Sequence, residues 1–253
     1  MTTRPNPRRG FTLMETVIAI GVLAVLLTAF LAVFGPATAG IRRAISAQEA
    51  DRLSSALEKE LATLRPNETY SGASGSKGTA FDKAFDWIKN GADSNTKPLQ
   101  GTILIYQYRA DPTKMREDGT LSAYASASSG IAGSDYVIQS GVRRREDSKN
   151  PKNKEYLQED LKALEGRVFA IRTTQLVYQS GGGLGLGTPG TIKDPKPGGS
   201  GGGDSASYPE AVIAFSAEFY GIPSTAYQYI TGSGFEKSTL KNPIFTRNLA
   251  ARR

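Results

Sequence analysis

The feature that most constrains this chain is an apolar stretch near its beginning. Thr16 to Phe34 is 19 residues without a charge or a proline, about the length a helix needs to cross a hydrocarbon core at ~1.5 Å per residue. Three arginines, Arg4, Arg8 and Arg9, precede it and no acidic residue does. One carboxylate, Glu15, stands at its entrance. A charge at membrane depth costs roughly 2.5–3.5 kcal/mol or more, so residues of this kind mark a function. A secretory signal peptide and an ordinary anchor both account for the basic start and the apolar run. Neither has a use for Glu15 or for the glycine before Phe11.

The run Gly10-Phe11-Thr12-Leu13-Met14-Glu15 resembles the processing signal of the type IV pilin and type II secretion pseudopilin family. The resemblance implies that a basic leader, residues 1–10, is removed after Gly10 by a prepilin peptidase that also N-methylates the new terminus, Phe11. Residues 11–34 would form the transmembrane assembly helix, in contact with inner-membrane lipid and with other pilin or pseudopilin subunits. It further implies that Glu15 of one subunit meets the Phe11 amine of a neighbour, two charges that are each costly in lipid. Pairing with its own Phe11 amine, one helical turn away, is the alternative. The leading arginines favour a cytoplasmic N-terminus by the positive-inside rule, with the head periplasmic or extracellular. Arg42 and Arg43 on the far side weaken that argument, and the resemblance gives the same orientation.

Gly35-Pro36 follows the apolar run, and proline predicts a kink or local melting there. Family members often carry a helix-breaking proline near the 22nd mature residue, which is Ala32 here. Residues 35–65 continue as an amphipathic helix in which Ile41, Ile45, Leu53, Leu57, Leu61 and Leu64 recur at helical spacing. Pro66 and Asn67 stop it.

The remaining 66–253 reads as an extracytoplasmic α+β head, with mostly antiparallel strands on the long helix. Phe81 to Ile88 predicts a short helix ending near Gly91. Gly101 to Arg109 and Ser134 to Arg143 read as strands, with Lys114 to Gly133 as loop between them. Tyr156 to Leu164 reads as helix. Arg167 to Tyr178 and Ala211 to Tyr220 read as a hairpin joined by a flexible glycine-rich loop, 180–205. Ala226 to Thr231 and Ile244 to Arg247 predict short strands or an extended tail. Arg143-Arg144-Arg145, followed by Glu146-Asp147, reads as a solvated turn.

The composition excludes much chemistry. With neither histidine nor cysteine, the chain has no Ser-His-Asp triad, no Cys-His nucleophile, no histidine-bound zinc and no disulfide. The formal charge is +7, and removal of the three leader arginines leaves 28 basic against 24 acidic residues, or +4. No nucleic-acid partner is expected, because a basic stripe with interleaved aromatics is lacking. Gly185 to Gly190 formally matches G-x-G-x-x-G, but Thr191 to Gly203, with two prolines and five glycines, is no helix to receive a pyrophosphate. Some major pseudopilins bind calcium in a C-terminal loop, and Asp194 and Asp204, with Glu210 near them, are weak candidates for such oxygen ligands. No cofactor and no catalytic residue is expected. The expected function is that of a minor structural subunit of a type II secretion pseudopilus or type IV pilus-like filament. A single-pass anchored binding protein that never assembles is the alternative.

Overall fold

The computed structural model describes residues 12–70, 78–92, 99–124, 130–199 and 202–253. The chain divides into two compact units, Met1–Ile45 and Ser46–Arg253. One helix, α1 (Leu13–Leu61), contributes to both.

In the first unit every described residue, 12 to 45, is exposed. An 18-residue window of α1 has a mean hydropathy of 2.9 with none of it buried, so the helix is long and apolar enough to cross a membrane. Its hydroxyls turn back on the helix: Thr28 Oγ1 donates to the Ala24 carbonyl at 2.8 Å and Thr38 Oγ1 to the Gly35 carbonyl at 2.9 Å. Such bonds leave no unpaired donor on an apolar helix. The melting expected at Gly35-Pro36 does not occur, and α1 is helical through Pro36. A proline removes one intrahelical bond, and the turns on either side keep theirs.

In the second unit α1 buries Ser46, Ala50, Leu53, Ser54, Leu57, Glu60 and Leu61. The stripe therefore starts later than the leucine and isoleucine spacing predicts, with Ile41 and Ile45 about 60 % exposed. Small residues, Ser46, Ala50 and Ser54, form its first half and allow close packing. The helix ends at Leu61 rather than Arg65, because the Arg65 N–H is taken by Glu68 Oε2 at 3.0 Å.

The head is a seven-stranded antiparallel sheet with helices on both faces. Its elements are α2 (Ala80–Gly91), β1 (Ile103–Met115), β2 (Leu121–Ala123), β3 (Val137–Arg144), α3 (Pro151–Lys162), β4 (Leu164–Tyr178), β5 (Leu184–Leu186), β6 (Val212–Gly221), α4 (Tyr227–Thr231) and β7 (Phe245–Arg252). The order is β2-β1-β4-β6-β7, with β3 also on β1 and β5 on β4. A capping box opens α2, Thr79 and Asp82 each accepting from the other's backbone N–H, which satisfies two donors of its first turn.

Strand alternation assigns the two faces. Ile103, Ile105, Phe169, Ile171, Phe215 and Phe219 pack under α1 and α2 around Leu53, Leu57, Phe85 and Trp87. Leu104, Tyr106, Tyr108 and Val168 face Leu157 of α3 and Ile230 of α4. Because both faces are covered, β1 opens as an unbroken apolar run. Gly141 lies opposite Tyr106, where an added Cβ would sit 2.5 Å from the ring.

The expected hairpin is present, β4 pairing with β6 from Phe169↔Gly221 to Gln175↔Phe215. Three readings are corrected. Tyr227–Thr231 is a helical turn, since it buries Ile230 on the β1 face instead of joining the sheet. The tail strand is longer than expected and sends Leu249 and Ala251 into the core. The region read as loop between the first two strands contains β2, which pairs with the end of β1.

The glycine-rich segment is also more engaged than a flexible loop. Leu184–Leu186 pairs with β4. The Gln175 side chain donates to the Lys193 carbonyl at 2.6 Å and accepts its N–H at 3.0 Å. Ile192 is 2 % exposed. After Gly187 the chain turns at Thr188–Thr191, with Gly190 at φ 79°, and residues 188–199 contain no helix.

Candidate functional site

Gly10 and Phe11 lie outside the described residues. Glu15 does not. It sits in the first turn of α1, whose N-terminus is set by Thr12. The Thr12 N–H and Oγ1 both donate to Glu15 Oε2 at 3.2 Å, and the Glu15 N–H donates back to Thr12 Oγ1 at 3.2 Å. Thr12-Leu13-Met14-Glu15 is thus a reciprocal capping box. The signal, a threonine followed three residues later by glutamate, is plain in the sequence, but pairing Glu15 with a Phe11 amine, a neighbour's or its own, overlooks it.

The head concentrates its charges elsewhere. Arg143-Arg144-Arg145 is not a solvated turn. Arg143 Nη1 reaches Asp118 at 3.2 Å and its Nε reaches Asp160 at 3.2 Å. Asp160 is fully buried and also takes Arg116 at 2.8 Å and the Tyr106 hydroxyl at 2.7 Å. Arg144 pairs with Asp86, Glu146 and Asp147. Arg145 donates to the Ile230 and Gly232 carbonyls at 2.7 and 2.6 Å. Apart from Glu146 and Asp147, which adjoin Arg144, these partners are 17 to 87 residues away in sequence, which is why a local reading assigned the arginines to solvent.

A second knot ties the end of α1 to α2. Lys83, fully buried, donates to Glu60 at 2.6 Å, Glu68 at 2.7 Å and the Thr63 carbonyl at 3.0 Å. Arg65 grips the other side of Glu60. Its Nη1 also donates to the Asp118 carbonyl at 3.3 Å, joining the two knots. Burial alone would raise the Glu60 pKa, but hydrogen bonding and charge from Arg65 and Lys83 outweigh it and hold the carboxyl below its ordinary value. Asp118 is likewise lowered: Thr120 and Arg143 overcome its desolvation. Asp147 goes the other way, raised by burial in spite of Arg144. The cavity between the knots is about 50 Å³, bounded by Glu60, Arg65, Trp87, Arg143 and Asp147 among others, room for a water or two and not for a substrate. Every cation in it is matched, so the arrangement is a brace that holds elements together.

The calcium candidates are occupied locally. Asp194 Oδ1 accepts the Lys196 N–H at 3.0 Å, Asp204 Oδ1 accepts the Ser207 N–H at 2.7 Å, and Glu210 pairs with Lys196 at 2.7 Å. Among the described residues, no group of three or more acidic side chains is placed to hold a metal ion.

No curated protein and no solved structure matches the chain. Residues 5–31 match the family described as the Prokaryotic N-terminal methylation motif. That motif points to a structural subunit rather than an enzyme. With an apolar helix whose second half packs on an antiparallel sheet, the chain has the α+β architecture of a pilin and carries the prepilin-type cleavage and methylation signal of type IV pilins and pseudopilins.

Proposed function

We propose that this chain is a minor structural subunit of a type II secretion pseudopilus or a type IV pilus-like filament. In this reading a prepilin peptidase removes residues 1–10 and methylates Phe11. The mature subunit waits in the inner membrane as a single-pass protein with its N-terminus cytoplasmic and its head outside. On assembly, Glu15 of an incoming subunit pairs with the Phe11 amine of a neighbour. Each of these charges is costly in lipid, so their mutual neutralisation rewards docking at one axial register. The observation that carries the reading is the coincidence of the methylation motif with a helix whose apolar first part, up to Ile45, is exposed and which bears a lone carboxylate in its first turn.

The test is the intact mass and N-terminal residue of the membrane-extracted protein, from cells with and without an active prepilin peptidase. The expected product lacks Met1 to Gly10 and begins at a methylated Phe11 only when the peptidase is active. A chain that keeps Met1 in both cells, or is cut beyond Phe34, sinks the reading.

A further inference from the structure

We infer that Thr12 is a positioning residue for Glu15 in subunit docking, an inference that rests on the filament reading above. The carboxylate of Glu15 does not extend sideways from the helix. It is drawn back over the first turn to the level of Thr12, where Oε2 accepts both the backbone N–H and the hydroxyl of that residue. Three residues of helix correspond to about 4.5 Å along the axis, so the charge is moved towards the N-terminal edge of the apolar span. The hydroxyl of Thr12 acts twice, donating to Oε2 and accepting the Glu15 N–H. Among the described residues, Oε1 accepts no hydrogen bond.

Two consequences follow. A waiting monomer has one oxygen of this carboxylate satisfied in cis, and does not leave the side chain free to swing among rotamers in lipid. The other oxygen is left available for a cation supplied in trans, at a height fixed by the helix start. A glutamate without this partner could meet the same amine, but from several rotamers, and the ordering would have to be done during docking.

The experiment uses the full chain in a host that processes and assembles it. The assembled fraction is chain recovered in sheared filaments relative to chain left in the membrane, with intact mass recorded for every variant. Thr12→Val keeps the shape and loses the hydroxyl; the assembled fraction is expected to fall about five-fold, the typical effect of losing such a cap, with the processed mass unchanged. Thr12→Ser restores the hydroxyl and the wild-type fraction. Thr12→Asp still accepts the Glu15 N–H but has no side-chain proton for Oε2, and is expected to fail as valine does. If valine assembles like wild type while Glu15→Leu does not, Thr12 does not position Glu15. If aspartate rescues as well as serine, Thr12 is a helix cap and nothing more, and the inference is overturned. If Glu15→Leu itself assembles normally, the filament reading falls, and the inference with it.

Discussion

The two halves of α1 solve opposite problems with one helix. From residue 12 to 45 its apolar side chains are all exposed, and one carboxylate is tied to its own first turn. From residue 46 to 61 the apolar side chains turn inward, and the charge they bury, Glu60, is shared by two cations from outside the helix. The difference teaches what a charge needs in an apolar setting. In the exposed half it is satisfied by backbone and hydroxyl; within the folded head it is satisfied by cations from outside the helix, Arg65 just past its end and Lys83 on α2.

The largest way to break the contrast is to remove Glu15. Glu15→Leu is expected to leave the head folded and abolish incorporation into filaments, as read by shearing, while the same change at an exposed head carboxylate such as Glu58 leaves incorporation intact. Next in size is Asp160→Ala, which strands Arg116 and Arg143 without their common acceptor. Losing one member of a buried pair costs about 3–5 kcal/mol. Trp87, the single tryptophan and 1 % exposed, reports the loss as a lower denaturation midpoint in its fluorescence.

Leu57→Ala opens a cavity where α1 meets the sheet and is expected to cost about 2–5 kcal/mol by the same fluorescence. Acid sharpens the comparison further. Glu60 and Asp118 have pKa values below their ordinary ones, so the folded head binds fewer protons than the unfolded chain. Their stabilisation is complete above the ordinary carboxylate range, near pH 4.5, and is lost as the pH falls through the lowered folded values. Asp147, raised by burial, opposes this and softens the decline. The midpoint for Glu60→Gln should start lower and fall less between pH 5 and 3. The smallest effect belongs to the exposed pair of Arg247 with Asp51, for which Asp51→Ala costs less than about 1 kcal/mol.

The apolar span, the processing motif and the β4–β6 hairpin were legible in the sequence because each is written locally, as a composition, a fixed spacing or a period. The brace was not. Arg143 has nothing beside it in sequence that names Asp118 or Asp160, and a charge run looks the same whether it faces water or a buried aspartate. Tyr227–Thr231 was misread because aromatics suit strands and buried helical turns equally, and only the β1 face decides which. The start of the buried stripe was hidden for a different reason: serine and alanine at Ser46, Ala50 and Ser54 pack closely without adding hydrophobic signal.

The register of β7 on β6, with Leu249 and Ala251 under α1, sets a timetable. Arg247 and Asp51 touch across 196 residues of chain. At about 5–20 residues per second of synthesis, the stripe from Ala50 to Leu61 waits ~10–40 s for the strand that completes its cover. The head is thus a late closer, and during that interval this helix face is a surface for a holding chaperone to shield.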